Sequence, residues 1–554
     1  MENIRIFLIL SLLTVTFLFF QEWENDNIKF QSKIKQNQNS IFDDKTYDTD
    51  NSKKNISIKR ELSNTIIDQR AVKDILEEKK DIELIEVKTN LFNLKINPKG
   101  GDLVFLEMNN YLDDEKKNKY ILFNNLRDKY VMQTGLISES GPDSHKLGRA
   151  IYYSEKKLYD FSNETENLFV DLKYGNNDID VIKRFIFKNN SYEIGIRHIF
   201  TNKSDKTLDT NIYARIRKQY NQKDEGFLPG TSTYNGVVVS NENDSFKKIS
   251  FSEIKRGKYR SENKEGWISI IENYFLSVLI PKNHEINYVY STETFQNGEI
   301  GIRFVSSEYI SVPKKSNYIY DVALYAGPIL PNILKDVAPK LELTADYGML
   351  WLICMPIFYL LKYIYTYVGN WGFSIIIVTF IIKIAFYWLN ARNYKSMGNL
   401  RKLEPRIKKL KENFGDDKQK FGQALMELYK KEKVNPLGGC LPILIQLPVF
   451  IALYWTLLGS VELRHAPFIL WINDLSAKDP YFILPLIMGV TMFLQQSLSP
   501  KPADPIQEKV MKFIPVVFTI LFLNFPSGLV LYWVISNILS ILQQWSIMRN
   551  ISKE

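Results

Sequence analysis

The sequence predicts a membrane protein in two unlike parts. One is a helical part with six transmembrane α-helices, an N-terminal anchor plus a five-helix core. The other is a large soluble antiparallel β-sandwich, and a basic helical hairpin projects on the opposite side of the bilayer. Three observations predict this. Residues 21–340 are polar and rich in Asn, Lys, Asp and Ile, whereas residues 347–548 are largely apolar. Between about 83 and 328, apolar and polar residues alternate with period two, as half-buried strands require. Of the net charge of +9, residues 391–434 carry +7, with 13 Lys/Arg against 6 Asp/Glu. The averages over 554 residues, 45% hydrophobic and 24% charged, conceal this division.

The elements follow in chain order. Residues 1–22 form the anchor: an apolar run, Ile6 to Phe20, follows Arg5. Phe19-Phe20-Gln21-Glu22-Trp23 lacks the small residues of a cleavage site, so an uncleaved anchor with its N-terminus inside is expected over a cleaved signal. Residues 23–82, dominated by Gln, Asn, Asp, Lys and Ser, are a polar linker. Residues 83–330 are the sandwich. Its clearest runs are Leu168–Tyr174, Val181–Phe187, Tyr192–Phe200 and Tyr318–Tyr325, where aromatic and β-branched residues alternate with charges. No catalytic constellation stands out there, and no enzyme activity is expected.

The apolar half offers segments at 347–368, 372–390, 441–458, 481–496, 511–525 and 528–548. If all six crossed after an anchor with Arg5 inside, the basic island would lie outside, against the positive-inside bias. One early segment must therefore fail to cross. The segment 347–368 is interrupted by Lys362 and crowded by Tyr359, Tyr363, Tyr365 and Tyr367. Residues 331–368 are accordingly an interfacial amphipathic region. The spans 369–390 and 441–548 form the five-helix core, and both termini are cytoplasmic. Within 391–434, Met397, Leu400, Leu403, Ile407 and Leu410 make one apolar seam, and Phe421, Leu425 and Leu428 make another. Asn413-Phe-Gly-Asp-Asp417 supplies a stop and a start between them, so the island is a helical hairpin.

Several strings in the C-terminal half are more specific than any periodicity. They are Gly369-Asn-Trp-Gly-Phe-Ser-Ile-Ile376, Lys433-Val-Asn-Pro-Leu-Gly-Gly-Cys440, Gly459-Ser-Val-Glu-Leu-Arg464, Leu486-Ile-Met-Gly-Val-Thr-Met492 and Phe525-Pro-Ser-Gly-Leu-Val-Leu-Tyr532. Together they resemble the YidC insertases, the bacterial branch of the Oxa superfamily. The likeness is strong over about 345–548, and the anchor and β-domain match the Gram-negative form by arrangement. The resemblance implies a periplasmic β-supersandwich and a five-span core around a polar groove open to cytosol and lipid. It implies an inner-membrane insertase and chaperone for nascent membrane proteins, alone or beside the Sec translocon.

Lys383 lies inside the span 372–390, about eight residues or roughly 12 Å of helix from its end. An ionisable residue at that depth normally faces a bundle interior or watery cavity, although a lysine stem can also snorkel. The resemblance places an arginine in the groove, and Lys383 occupies the matching position; lysine supplies a point charge where arginine supplies a planar fork. Thr379 is one helical turn away on the same face. Gln446, and Asn537, Ser540 and Gln544 in the last span, are further polar candidates, with helix–helix hydrogen bonding as the plainer alternative. Tyr532 and Trp533 stand where the family places aromatic groove contacts. In the hairpin, Arg401, Lys402, Arg406, Lys408, Lys409 and Lys411 are candidate contacts for substrate or ribosome, and positive-inside charge explains most of them without a ligand. Membrane lipids complete the expected partners.

Other motifs fail. Leu437-Gly-Gly-Cys440 is far from any N-terminal signal, so it is no lipobox. There is no P-loop string, so no nucleotide is expected. Two cysteines (Cys354, Cys440) and four scattered histidines (His145, His198, His284, His465) give neither a disulfide framework nor metal-ligand spacing, so no cofactor or metal is expected. Two rival readings are an ion-coupled transporter using Lys383 and a membrane-anchored periplasmic sugar-binding protein. The first wants acidic intramembrane partners and the second leaves the helical core unexplained.

Overall fold

The computed structural model describes residues 83–144, 148–161, 166–219, 234–295, 297–345, 350–414, 417–432, 441–499 and 505–551. The expected anchor (1–22), the linker (23–82) and the string Lys433–Cys440 lie outside the described residues. The rest falls into two compact units. One contains the strands together with the short segment Leu458–Arg464; the other contains the helices of Leu352–Leu457 and His465–Glu554.

In the strand unit, the described residues form a thirteen-stranded and a nine-stranded sheet, almost wholly antiparallel, around one apolar core. The nine-stranded sheet shows why alternation was readable. Its strands Asn167–Gly175, Ile179–Lys188, Glu193–Asn202 and Asn317–Pro328 pair in succession. Glu193–Asn202 buries every second residue, sending Ile194, Ile196 and Phe200 inward. On the opposite face Asp171, Arg184, Arg197 and Asp321 stand in one cross-strand row. Arg184 donates to both Asp171 carboxylate oxygens at 2.7 Å, and Arg197 donates to those of Asp321 at 2.8 and 3.0 Å.

The centre of the larger sheet is buried on both faces. Val131–Ile137, Leu208–Gln219 and Glu299–Ser306 pair side by side. Met132, Ile216 and Ile302 share the face of the apolar core, while Gln133, Arg215 and Arg303 are register partners on the other. Burying these charges costs free energy unless each is paired. Arg303 meets Glu293 at 2.6 Å, Arg215 donates to Gln133 at 2.6 Å, and Gln133 passes the chain to Asp102 at 2.7 Å. Asp102 also binds Arg149.

Between the sheets, the Lys183 ammonium donates to the carbonyl oxygens of Gly100 (3.0 Å), Gly101 (2.6 Å) and Thr134 (3.0 Å). Gly101 sits at φ +63° with the Lys183 stem 2.9 Å from where a Cβ would be, so backbone sign and space both require glycine there. The segment Leu458–Arg464 adds Val461 to the core. Arg464 donates to Leu112 O at 2.6 Å and Asp114 Oδ1 at 2.9 Å, and its guanidinium lies 5.4–5.9 Å from the ring centres of Tyr120, Tyr274 and Phe275.

In the helical unit, α1 (Trp351–Val368) ends where Gly369 adopts φ +68° and donates to Tyr365 O at 2.8 Å. This is the left-handed stop that glycine favours. Asn370 then caps α2 (Trp371–Ala385), accepting from the backbone N–H of Gly372 at 2.9 Å and Phe373 at 3.2 Å. There follow α3 (Tyr387–Lys402), α4 (Glu404–Phe414), α5 (Lys418–Lys431), α6 (Leu441–Gly459), α7 (Ile483–Ser497), α8 (Pro505–Phe522) and α9 (Ser527–Ile551). On α1, Cys354, Ile357, Phe358, Leu361 and Ile364 are buried, whereas Leu352, Tyr359, Tyr363 and Tyr367 are exposed, so the helix is amphipathic.

Three expectations change in detail. The span 372–390 is not one straight helix, because α2 and α3 meet at 66° across Phe386. Neither glycine nor proline marks this bend. The first hairpin arm is split at Leu403, just ahead of Pro405, since proline is at home only in a first helical turn. The segment 511–525 belongs to a helix that starts earlier, at Pro505, and carries Glu508, Lys509 and Lys512 in its first half. Asp417 does start the second arm, accepting from Gln419 N and Lys420 N at 3.1 Å each. Among the described residues, Ser527–Arg549 alone is a single helix long and apolar enough to cross a bilayer, and α2 with α3 passes as a bent pair.

Candidate functional site

The bend at Phe386 leaves Lys383 in the last turn of α2 rather than deep inside a continuous span. Its ammonium is half-buried and donates to Ser540 Oγ on α9 at 2.7 Å and to Gln446 Oε1 on α6 at 3.2 Å. Gln446 Nε2 in turn donates to Ser536 Oγ, and Ser540 Oγ donates to Ser536 O at 2.8 Å. Ser536 and Ser540, four residues apart, share one helix face, which is how a single helix supplies both hydroxyls.

A lysine ammonium has three N–H donors. Two are engaged here, and no carboxylate among the described residues pairs with Lys383. One donor and a full positive charge are therefore left over. Lys383 is one of the residues lining an open cleft of about 320 Å³, solvent-side space included, together with Thr379, Ile382, Phe386, Asn390, Gln446, Val449 and Tyr532. Lys383 and Asn390, on opposite sides of the bend, thus line one cleft.

Of the residues expected from sequence, Lys383, Thr379, Gln446 and Tyr532 converge on this cleft. The Thr379 hydroxyl is committed to Ile375 O at 2.6 Å, so Thr379 shapes the wall without offering a donor. Trp533 and Asn537 line an adjoining, larger chamber that shares Gln446 with the cleft. Trp533 packs edge-on against Phe450 with ring centres 4.7 Å apart, and Asn537 Nδ2 donates to Thr491 Oγ1 at 3.1 Å.

The hairpin cations line neither cavity. Arg401, Lys402, Arg406, Lys408, Lys409 and Lys411 are exposed on α3 and α4, and Arg406 is paired with Glu432 at 2.6 Å. Sequence reasoning missed Ser536 and Asn390. For Ser536 a signal existed: it lies one turn before Ser540 in an otherwise apolar helix.

Comparison with known proteins is consistent across the chain. The family described as "60Kd inner membrane protein" matches residues 363–554, and "YidC periplasmic domain" matches residues 84–360. A curated relative from Pseudomonas putida, "Membrane protein insertase YidC", is 46% identical over 473 residues, covering 85% of this chain and 84% of that protein. A relative of the same name from Azotobacter vinelandii is 44% identical over 475 residues, 85% of each. Among solved structures, "Active YidC insertase crystal structure with the first transmembrane domain resolved" aligns with 84% of this chain and 92% of that one. It does so at 17% identity and a TM-score of 0.38, an overlap too low to bear on the fold.

Proposed function

Because this chain belongs to the YidC family of membrane protein insertases, we propose that its insertion activity runs through the cleft at Lys383. The protein is an inner-membrane insertase with a periplasmic β-sandwich domain and a helical C-terminal region. The third N–H of Lys383, uncommitted and without a carboxylate partner among the described residues, is the observation that carries the reading.

An incoming segment's acidic tail leaves water by entering the cleft. At an effective dielectric near 20, a charge pair at about 4 Å is worth about 4 kcal/mol. That is comparable with the roughly 2.5–3.5 kcal/mol that insertion scales assign to an aspartate at the bilayer centre. The apolar part of the segment then moves sideways into lipid. The helices assist by being short. The 15 residues of α7 span roughly 22 Å against a hydrocarbon core of about 30 Å, which favours local thinning and shortens the tail's path.

Six spans, counting the N-terminal anchor, with both termini cytoplasmic are the topology that keeps the basic hairpin α4–α5 in the cytosol. The amphipathic pattern of α1 supports its place along the outer interface. Nascent membrane proteins are the substrates. The Sec translocon, the ribosome and membrane lipids are the proposed partners, the exposed hairpin cations being suited to ribosomal or substrate anions.

The test is insertion of a small acidic-tailed membrane protein into liposomes containing the wild-type chain or Lys383→Arg, Lys383→Ala or Lys383→Glu. Arginine should support insertion, while alanine and glutamate lose at least about tenfold, the equivalent of 1.4 kcal/mol. Equal insertion by all four would mean that Lys383 merely snorkels.

A further inference from the structure

The segment leading into α7 has the reverse polarity of a loop that faces water. Residues 466–482 contain three formally charged side chains, Asp474, Lys478 and Asp479, and only Lys478 is exposed. Asp479 is buried and accepts from Trp471 Nε1 at 3.1 Å, Tyr481 N at 3.0 Å and Leu484 N at 2.7 Å. Asp474 accepts from Ser476 N at 2.9 Å and Ser476 Oγ at 2.7 Å. The large apolar residues are outside instead. Leu470 is 79% exposed and Tyr481 66%, with Ile469 and Phe482 exposed beside them. The Asp479 carboxylate joins the two pairs, since it binds both Trp471 and Tyr481. Single exposed leucines are ordinary, but an apolar cluster over buried acids marks a contact surface.

The cluster sits on a fixed frame. Ser527 N donates to Ala477 O at 2.7 Å and Gly528 N to Leu475 O at 2.9 Å, pinning the segment to the start of α9. Phe468 packs edge-on against Phe373 of α2, with ring centres 5.2 Å apart. Leu470 and Phe482 adopt φ +55° and +57°. Glycine or asparagine fills such positions with least strain when only the turn matters. A leucine and a phenylalanine there hold apolar side chains outward despite the backbone.

Continuity identifies what covers them. From Phe482 an exposed apolar row runs along α7 through Leu486, Val490 and Leu494, four residues apart and so on one helix face. In a membrane-spanning helix such a row meets lipid. Lys478 and the rings of Trp471 and Tyr481 are the side chains that settle at headgroup level.

We propose that residues 466–482 are a lipid anchor: Ile469, Leu470, Tyr481 and Phe482 enter the headgroup and upper acyl region of the outer leaflet and fix the height of α7 in the bilayer. The inference rests on the topology proposed above, which puts this end of α7 on the periplasmic side.

Nitroxide labels on single cysteines test it in liposomes holding the full chain with Cys354→Ala and Cys440→Ala. Leu470→Cys is compared with Val490→Cys as the lipid reference and with Asp205→Cys, a well exposed position among the strands, as the aqueous one. Collisions with oxygen, which concentrates in lipid, and with a water-soluble nickel chelate locate each label. Leu470 should follow Val490, with nickel collisions several-fold below those at Asp205. Nickel access equal to that at Asp205 would put the segment in water and overturn the proposal. Shielding from both reagents would overturn it in favour of a protein partner or a second copy. Free nickel access at Val490 would overturn the span and the anchor together. A second measurement uses the unaltered chain. A phospholipid with a photoactivatable diazirine beside its acyl carbonyl should label Ile469 and Leu470; labelling of α7 without them would overturn the anchor. Neither readout involves insertion, so failure of the Lys383 mechanism would leave the anchor standing.

Discussion

Lys183 and His198 stand directly opposite each other on neighbouring strands, both turned into the sandwich and both without measurable exposure. His198 Nε2 lies 3.1 Å from Thr134 Oγ1, while Lys183 holds three carbonyls that include Thr134 O. Two basic groups thus occupy the interior between the sheets.

Their titration sets a pH dependence. Burial pulls the Lys183 ammonium down to about 7, with Asp102 pushing it back up, Arg149 lowering it and Asp143 raising it. In the unfolded chain it stays charged to about 10.4. Between those values the unfolded chain binds more protons, so this residue makes stability rise with pH from about 7 to about 10. His198 is held well below the usual imidazole value by burial and then by Lys183. Its contribution is lost as pH falls through about 6.5. In detergent-solubilised full-length protein, the melting temperature of wild type relative to Lys183→Met should climb between pH 7 and 9.5. A constant difference across that range would refute the assignment.

Arg464 should stabilise the strand unit well beyond a surface ion pair. Its side chain is 5% exposed, whereas that of its partner Asp114 is 98% exposed. Arg464→Ala removes a charged donor to Leu112 O and the contacts over three rings, a loss of about 2–4 kcal/mol. Asp114→Ala should cost under about 1 kcal/mol, as exposed pairs do. Hydrogen exchange over Asp102–Leu112 and Phe275–Pro281 would show the difference; equal effects would mean that the aspartate anchors the arginine.

Two glycines should respond in opposite directions to alanine. Gly422 lies within α5 with open space around its Cβ position, so Gly422→Ala should strengthen that helix by about 1 kcal/mol. Gly369 also has room, but its φ of +68° makes Gly369→Ala cost about 1–2 kcal/mol. Exchange protection of residues 418–431 and the melting temperature of the chain read the two effects separately.

On the proposed mechanism, Ser540→Asp should disarm the cleft from within. A carboxylate at the position now 2.7 Å from Lys383 Nζ would claim the charge permanently. Insertion of an acidic-tailed substrate should fall at least about tenfold, given a pair worth several kcal/mol. Expression and melting temperature should stay near wild type. Undiminished insertion would show that the charge is not what receives the tail.

Legibility in the sequence followed burial. Strands covered on one face, such as Glu193–Asn202, declare themselves by alternation. Strands buried on both faces, such as Leu208–Gln219, put arginines where an outer surface would have them, so the pattern hides that Arg215 and Arg303 are interior. Lys183 shares parity with Val181 and Phe185, and its position already implied a buried lysine. The turn at Gly369-Asn370 was readable because glycine and asparagine have local work to do there. The bend at Phe386 was not, since an unbroken apolar run passes through it. Polar residues in apolar helices announced Lys383, Gln446 and Ser540 individually; only the fold brings three helices together at one ammonium. The attachment of Leu458–Arg464 to the strand unit depends on contacts across some 350 positions of sequence, which no local pattern records.

On the proposed mechanism, the single vacant donor on Lys383 would also set the valence of capture. A tail with several carboxylates can present any one of them, so multiplying them raises the frequency of successful encounters. It leaves the lifetime of each encounter unchanged, because a second carboxylate finds no second donor. On that mechanism acidic tails would be caught more often without being held longer, and a segment would remain free to depart into lipid however many charges preceded it.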